Sequence, residues 1–220
     1  RNRLIKEASE SESARRIMED TVDVWSEQLA HEGAIIARYR VKYIQKMRQA
    51  ALDVFADMTG GKEVPDFHYL GTAHLSCEED YLDTKKTKDA YLELLTTSHA
   101  REIGAGYTLW GVHRDDIDIT LNGVCARLFA SQGQQRSLAL AMKLAEGEIS
   151  REEHGDYPVF LFDDVLSELD RGRREYLISK IRGRQVIMSG CEKIEIEGEG
   201  EVAHRVIHVD SGTFYDTADK

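Results

Sequence analysis

Along the first quarter of the chain, apolar residues recur mostly three, four or seven positions apart: Met18, Val22, Trp25, Leu29, Ile36, Tyr43, Met47, Ala50 and Val54. That is the period of one face of an α-helix. No proline interrupts the stretch, so the spacing predicts a helical arm from about Ser13 to Met58, with Gly33 as the place where it breaks in two. A run of this length suggests a coiled-coil arm or a helical hairpin. Its apolar stripe must pack on something. No other segment offers a matching helix of that length, and the partner is therefore expected in sequence outside these 220 residues. The opening "RNRLIKEA" already looks helical, which also points to a piece of a longer protein.

The pattern changes after "TGGKEVP", a cluster of turn residues. "DFHYL" reads as a short strand. Residues 78–97 read as helical, with Tyr81, Leu82, Ala90, Tyr91, Leu94 and Leu95 inward. "YTLWGV" and "DIDITL" read as strands flanking "HRDD", and Asn122-Gly123 is a two-residue hairpin turn before "VCARLF". A helix follows from about Gln132 to Glu153, with Ala139, Met142, Ala145 and Ile149 as its apolar face and Leu138 and Leu144 beside it. "VFLF" is a continuous apolar run, as in a strand covered on both faces. Asp170 can cap a helix through Ile181 that Gly183 stops. "QVIMS" is another buried strand, and "RVIHVD" and "TFYD" pair around Ser211-Gly212. Strand, helix, strand in this order predicts an α/β fold whose sheet is mostly parallel, with flanking helices.

Composition narrows the class. At 41% hydrophobic and 31% charged residues the chain can bury a core, and it contains no apolar run long enough for a membrane span. Cys77, Cys125 and Cys191 are odd in number and form no C-x-x-C, which predicts reduced thiols in a cytoplasmic protein. The net charge of −11 argues against a protein that coats DNA. One stretch departs from that balance. Between Gly33 and Leu52 there is no acid, while Arg38, Arg40, Lys42, Lys46 and Arg48 stand close together. This band is either a DNA-phosphate contact or a solvated helix face. No recognition helix or base-reading cluster accompanies it, so any DNA binding is expected to be sequence-tolerant.

The chemistry concentrates in the second half. In "PVFLFDDVLSELD" a strand delivers Asp163 and Asp164 to its C-terminal edge, where ligands bind in open α/β sheets. Carboxylates there suit Mg²⁺, which takes one or two acids plus water and phosphate oxygens. Asp163 would hold the metal shell and Asp164 would orient or deprotonate an attacking water, the Walker B arrangement. Read alone, the pair is more simply the start of a loop. "SQGQQRS" supplies the second element. Ser131 can cap the helix behind it, Gly133 leaves room for a phosphate, and the outward amides and helix dipole favour an anion. Alone, it is a serine-capped helix. Its place one helix and one turn before "VFLFDD" is the order of the C-terminal half of an ABC-type ATPase head. There Ser131, Gln132, Gly133 and Gln134 match the signature that covers ATP held by a second protomer. Ser167 and Asp170 of "SELD" fall at the D-loop, where Asp170 can also be a helix cap.

The combination "FASQGQQRSLALAMKLAEGE", "YPVFLFDDVLSELD" and "GVHRDD" resembles the RecF family, bacterial recombination and repair ATPases related to SMC proteins. "RNRLIKEA" and "VWSEQLAHEGAIIARYR" resemble that family's helical region. The resemblance implies that residues 1–64 form the arm and 65–220 the C-terminal part of the head. The phosphate loop G-x-x-x-x-G-K-[ST], which the family carries in an N-terminal part, does not occur here, and Gly61-Lys62 is a loop.

By the same resemblance, two protomers pair on ATP and Mg²⁺ and grip DNA at gaps together with RecO and RecR, in recombinational repair, replication restart and the SOS response. The whole protein is expected to be a slow ATPase and these 220 residues alone to be inactive. Val112 departs from the family's proline in G-P-H-R-D-D. Gly190-Cys191-Glu192 replaces the usual Thr/Asp-type turn, and no switch histidine follows the strand "QVIMS". His113, Arg114, Asp115 and Asp116 are read as a structural salt-bridged turn. Two other readings stay open: the head of another SMC-like chromosome ATPase, and a non-enzymatic scaffold that keeps the ATPase lobe.

Overall fold

In the computed structural model a short helix, α1 (Asn2–Glu10), leads into the arm, which is one helix of 48 residues, α2 (Glu12–Thr59). Extended backbone at Ser11 separates them. The break expected at Gly33 is absent. The helix runs straight through it, and Gly33 is buried with its Cβ position 3.6 Å from Tyr91 and Val112 side-chain carbons. The expected partner outside the chain is corrected as well, because α2 packs on α1, on strand β1 (Pro65–Leu70) and on α3 (Thr84–Thr97).

The packed face differs from the predicted stripe for a physical reason. Met18, Val22 and Met47 are buried as expected, but the middle of the face is Ser26, Ala30, Gly33, Ala34 and Ala37. Small side chains let α3 and the following loops approach closely, as helix packing at short interaxial distance requires. Trp25, Ile36 and Tyr43 lie at its margin and are exposed.

The structure describes residues 1–191 and 205–216. They divide into two units, Arg1–Ile149 and Ser150–Lys220. In the first, a 3₁₀ turn (Glu78–Leu82) precedes α3, which Asp83 caps by accepting from the amides of Lys85 and Lys86. Helix α4 (His99–Ala105) follows, which the periodicity does not indicate. "YTLWGV" is not a strand. Its amides go to side chains instead: Thr108 N donates to Asn2 Oδ1 (2.9 Å), Leu109 N to Glu102 Oε1 (2.9 Å) and Gly111 N to Thr72 Oγ1 (3.1 Å). β1 pairs antiparallel with β2 (Asp116–Leu121), and β2 with the two-residue β3 (Val124–Cys125), across the predicted Asn122-Gly123 turn. The short helix α5 (Ala126–Phe129) then leads to α6 (Gln132–His154).

Leu138, Ala141, Leu144, Ala145 and Ile149 bury the inner face of α6, and Ala139, expected on it, is exposed. The N-terminal cluster joins Ile5, Ala8, Met18, Val22 and Ile103. The main one joins the middle of α2 to Phe67, Tyr69, Tyr81, Tyr91 and Leu95.

In the second unit β4 (Phe160–Phe162) and β5 (Val186–Met188) pair in parallel through α7 (Arg171–Ile181), a β-α-β crossover. Asp170 caps α7, accepting from Arg173 N at 3.0 Å. Phe160 and Phe162 are buried, but Leu161 and its register partner Ile187 are exposed on the other face, so this strand is covered on one face rather than two. A closing hairpin pairs β6 (Ile207–Asp210) with β7 (Thr213–Asp216) around Ser211-Gly212. Among the described residues parallel pairing is confined to β4–β5, and no helix is long and apolar enough to cross a membrane.

Candidate functional site: a serine-capped helix tip and an aspartate-ended strand

The helix tip is built by a reciprocal cap. Gln134 N donates to Ser131 Oγ (3.3 Å) and Ser131 N donates to Gln134 Oε1 (2.8 Å). This is the capping box that S-x-x-Q encodes. Ser131 and Gln132 are exposed, and Gly133 and Gln134 are half-buried. Behind them, Ser137 is buried and donates to Gly133 O (2.7 Å), which anchors the first turn. A 23-residue helix thus presents its positive end and a hydroxyl at an accessible tip. The other half of Gln134 is also engaged: its Nε2 donates to Glu63 Oε1 at 2.6 Å.

The aspartate pair sits where β4 ends. Asp163 accepts from the hydroxyl of Ser189, just past β5. The backbone locks the two strand ends together, with Ser189 N on Phe162 O (2.9 Å) and Asp164 N on Ser189 O (3.2 Å). Asp164 adopts the left-handed region at φ 49°, which aspartate tolerates better than most residues. Ser167 donates to Asp164 O (2.8 Å) and closes the turn, while Asp170 is held by its cap and by Arg173 (3.0 Å). Asp163, Asp164, Ser167 and Asp170 are all exposed. Among the described residues no group of three or more acids, histidines or cysteines could hold a metal. Asp163 offers one exposed carboxylate, braced by Ser189, and Mg²⁺ sites of one or two acids take their remaining ligands from phosphate and water. Gly190 and Cys191 follow the strand, and Glu192 lies outside the described residues. Cys77, Cys125 and Cys191 are free thiols.

The basic band separates into two kinds of residue. Arg38, Lys42 and Lys46 are exposed on α2, in one row four apart. Arg40 donates to Val112 O (2.5 Å). Arg48 reaches inward to Phe67 O (3.0 Å from Nε), Asp66 (3.1 Å) and Glu78 (3.1 Å). Arg48 therefore braces β1 and the 3₁₀ turn.

At the centre of the "HRDD" turn is a carboxylate held mainly by hydroxyls. Tyr69 and Tyr91 both donate to Asp115 Oδ2, and Thr72 N and Oγ1 donate to Oδ1, each at 2.8 Å. Burial and then the Asp115 bond push both tyrosines well above their ordinary pKa. Asp116 pairs with Arg127 (2.9 Å). Its carboxyl lies below the ordinary range because Ile117 N and then Arg127 donate to it. Arg114 donates to Thr108 O (3.3 Å) and stacks on Tyr107.

A parallel strand pair ending in Asp-Asp, a crossover helix capped from Ser-Glu-Leu-Asp, a Ser-x-Gly-Gln helix tip and a long helical arm define the C-terminal half of an ABC/SMC-type ATPase head. The comparisons carry this to a particular family. The chain is 35% identical over 194 residues to "DNA replication and repair protein RecF" of Clostridium perfringens, covering 88% of this chain and 51% of the relative. It is 37% identical over 195 residues to the protein of that name in Clostridium tetani, covering 89% and 50%. A solved structure of the recombination mediator protein RecF with ATPrS, in the RecFOR pathway, superposes with a TM-score of 0.82. It is 31% identical and covers 99% of this chain and 55% of that one. A second, with ATP, gives 0.74 at 30% identity, covering 91% and 53%. No family model matches. Over its own length the chain is a RecF homologue, and it spans about half the length of the curated relatives it matches.

Proposed function

We propose that this chain is the arm (1–64) and signature-bearing part of the head (65–220) of a RecF-type ATPase that binds DNA in recombinational repair and replication. The observation that carries the reading is the pair of prepared surfaces. A serine hydroxyl stands at the exposed helix tip, held by Gln134 N, and a serine-braced carboxylate stands at Asp163. A triphosphate held by a phosphate loop would meet the Ser131–Gln134 tip of a second protomer. Asp163 would hold a Mg²⁺, which would offset the phosphate charge, and Asp164 would position the attacking water. Pairing then depends on the γ-phosphate, because groups from both protomers meet its charge. DNA is the partner expected for Arg38, Lys42 and Lys46. RecO and RecR are the protein partners that the relatives' RecFOR context suggests.

The test uses a protein of RecF length that carries this chain. Asp164→Asn is expected to lower ATP turnover by about 100-fold or more, the scale of losing a general base. ATP-driven pairing, followed by light scattering, is expected to persist or strengthen. If the variant pairs no better with ATP than without, the nucleotide-sandwich reading is wrong.

A further inference from the structure

The contact between Glu63 and Gln134 joins the foot of the arm to the helix tip, and nothing in the proposed chemistry requires it. α2 ends on two left-handed glycines, Gly60 (φ 66°) and Gly61 (φ 71°), with Gly61 N bonded back to Ala56 O. The next residues do not drift. Val64 N donates to Asn122 Oδ1 (2.8 Å) and Asn122 N donates to Val64 O (2.8 Å), which pins the strap against the β2–β3 turn. Glu63 is held just before that clip, and its carboxylate meets Gln134 Nε2 at 2.6 Å. Phe55, in the last turns of the arm, is fully buried against Leu138 and Ala141 of α6 and Leu121 and Ala126 beside them.

We infer that Glu63 is a positioning residue that sets the polarity of the Gln134 amide, and through it the cap at Ser131. A carboxylate only accepts hydrogen bonds, so Gln134 must turn its NH₂ toward Glu63. Its carbonyl is thereby turned toward Ser131, where it accepts the backbone N–H. With that amide satisfied from within, the Ser131 hydroxyl is held at the tip by Gln134 N. A charge-assisted bond of this kind is about twice as strong as a neutral one. The arm's last turn and the phosphate-facing tip therefore form one braced piece. What the tip would face rests on the proposed nucleotide reading; the brace itself does not.

Two measurements separate these claims. In this chain, without nucleotide, exchange of the Ser131 amide is followed by NMR in Glu63→Gln, Glu63→Ala and Glu63→Lys. Glutamine can still accept from Gln134 and is expected to stay near the parent. Alanine is expected to raise exchange by about tenfold, the loss of one charge-assisted bond. Lysine, a donor only, demands the opposite amide polarity and is expected to exceed alanine. If alanine and lysine leave Ser131 exchange at the parental rate, the inference is overturned.

In a protein of RecF length, ATP-dependent pairing is expected to fall in the same order, with Ser131→Arg as the control that blocks the tip. Loss of pairing in Ser131→Arg with parental pairing in Glu63→Lys overturns a role for Glu63 and leaves the nucleotide reading standing. Parental pairing in Ser131→Arg overturns the nucleotide reading, and the brace is then decided by the exchange series alone.

Discussion

At the scale of single residues, the strongest local commitments are buried polar groups that the apolar pattern could not announce. Arg1 is an example. Its guanidinium donates to Ser26 Oγ (3.1 Å), Thr108 Oγ1 (2.9 Å), Leu95 O (3.2 Å) and Glu102 Oε2 (2.6 Å), and the Arg1 and Glu102 side chains are 6% and 0% exposed. Its partners lie up to 107 positions away, so no local spacing rule could have found them. Asp115 is the second case. "HRDD" is legible as a turn, but its two tyrosine partners come from β1 and α3. The pair makes a testable demand on alkaline stability. Burial and the Asp115 bond keep Tyr69 and Tyr91 protonated in the fold, while tyrosines in the unfolded chain ionise near pH 10. Below that pH both states hold the proton and the stabilisation is complete. Above it only the unfolded state loses protons, so stability falls, by up to about 1.4 kcal/mol per pH unit for each tyrosine. Urea titrations from pH 8 to 11 are expected to show that decline, and Tyr91→Phe is expected to make it shallower. Equal slopes in the two proteins would refute the assignment.

At the scale of elements, short-range signals are the most legible. S-x-x-Q forms a capping box, Asp170 caps a helix that ends at Ile181, and Asn122-Gly123 turns a hairpin, because each device closes within a few residues. The arm's existence is legible too, but not its packed face. Periodicity counts large apolar side chains, and the contact face of α2 is made of small ones. "YTLWGV" misleads for a related reason: its β-prone residues have no strand partner among the described residues, and its amides are claimed by Asn2, Glu102 and Thr72. Gly33 brings these points together. Its residue type suggests a break, yet it is helical and buried, with no positive φ and a Cβ position 3.6 Å from its nearest neighbours. That distance is ordinary van der Waals contact. Gly33→Ala should therefore add helix propensity without a clash and stabilise the chain by about 0.5–1 kcal/mol. Gly33→Leu should overpack the seam with α3 and cost about 1–3 kcal/mol. Chemical denaturation of the two variants measures both. A destabilising alanine would mean that the helices approach more closely than the geometry indicates.

At the scale of the whole molecule, the order of motifs along the chain points to the head without reference to packing. What order cannot give is which charged side chains face outward. The sequence displays five cations in an acid-free stretch of a chain whose net charge is −11. Folding turns Arg48 inward and leaves Arg38, Lys42 and Lys46 as an exposed row. Two opposing effects would set any DNA affinity of this row. The acidic excess repels DNA at long range, but at physiological salt the Debye length is about 8 Å, so distant acids are largely screened. A row of three cations about 12 Å long on one helix face acts inside that distance. If the row meets phosphates, replacing all three residues with glutamine should weaken DNA binding similarly for every sequence. It should also flatten the plot of log affinity against log salt by about 3. Arg48→Gln should instead lower stability, since Phe67 O, Asp66 and Glu78 lose their donor, and should leave the salt slope where it was. Anisotropy titrations at several salt concentrations, paired with thermal melts, distinguish the two. A slope unchanged by the triple substitution would remove DNA from the arm and leave the row as a solvated helix face.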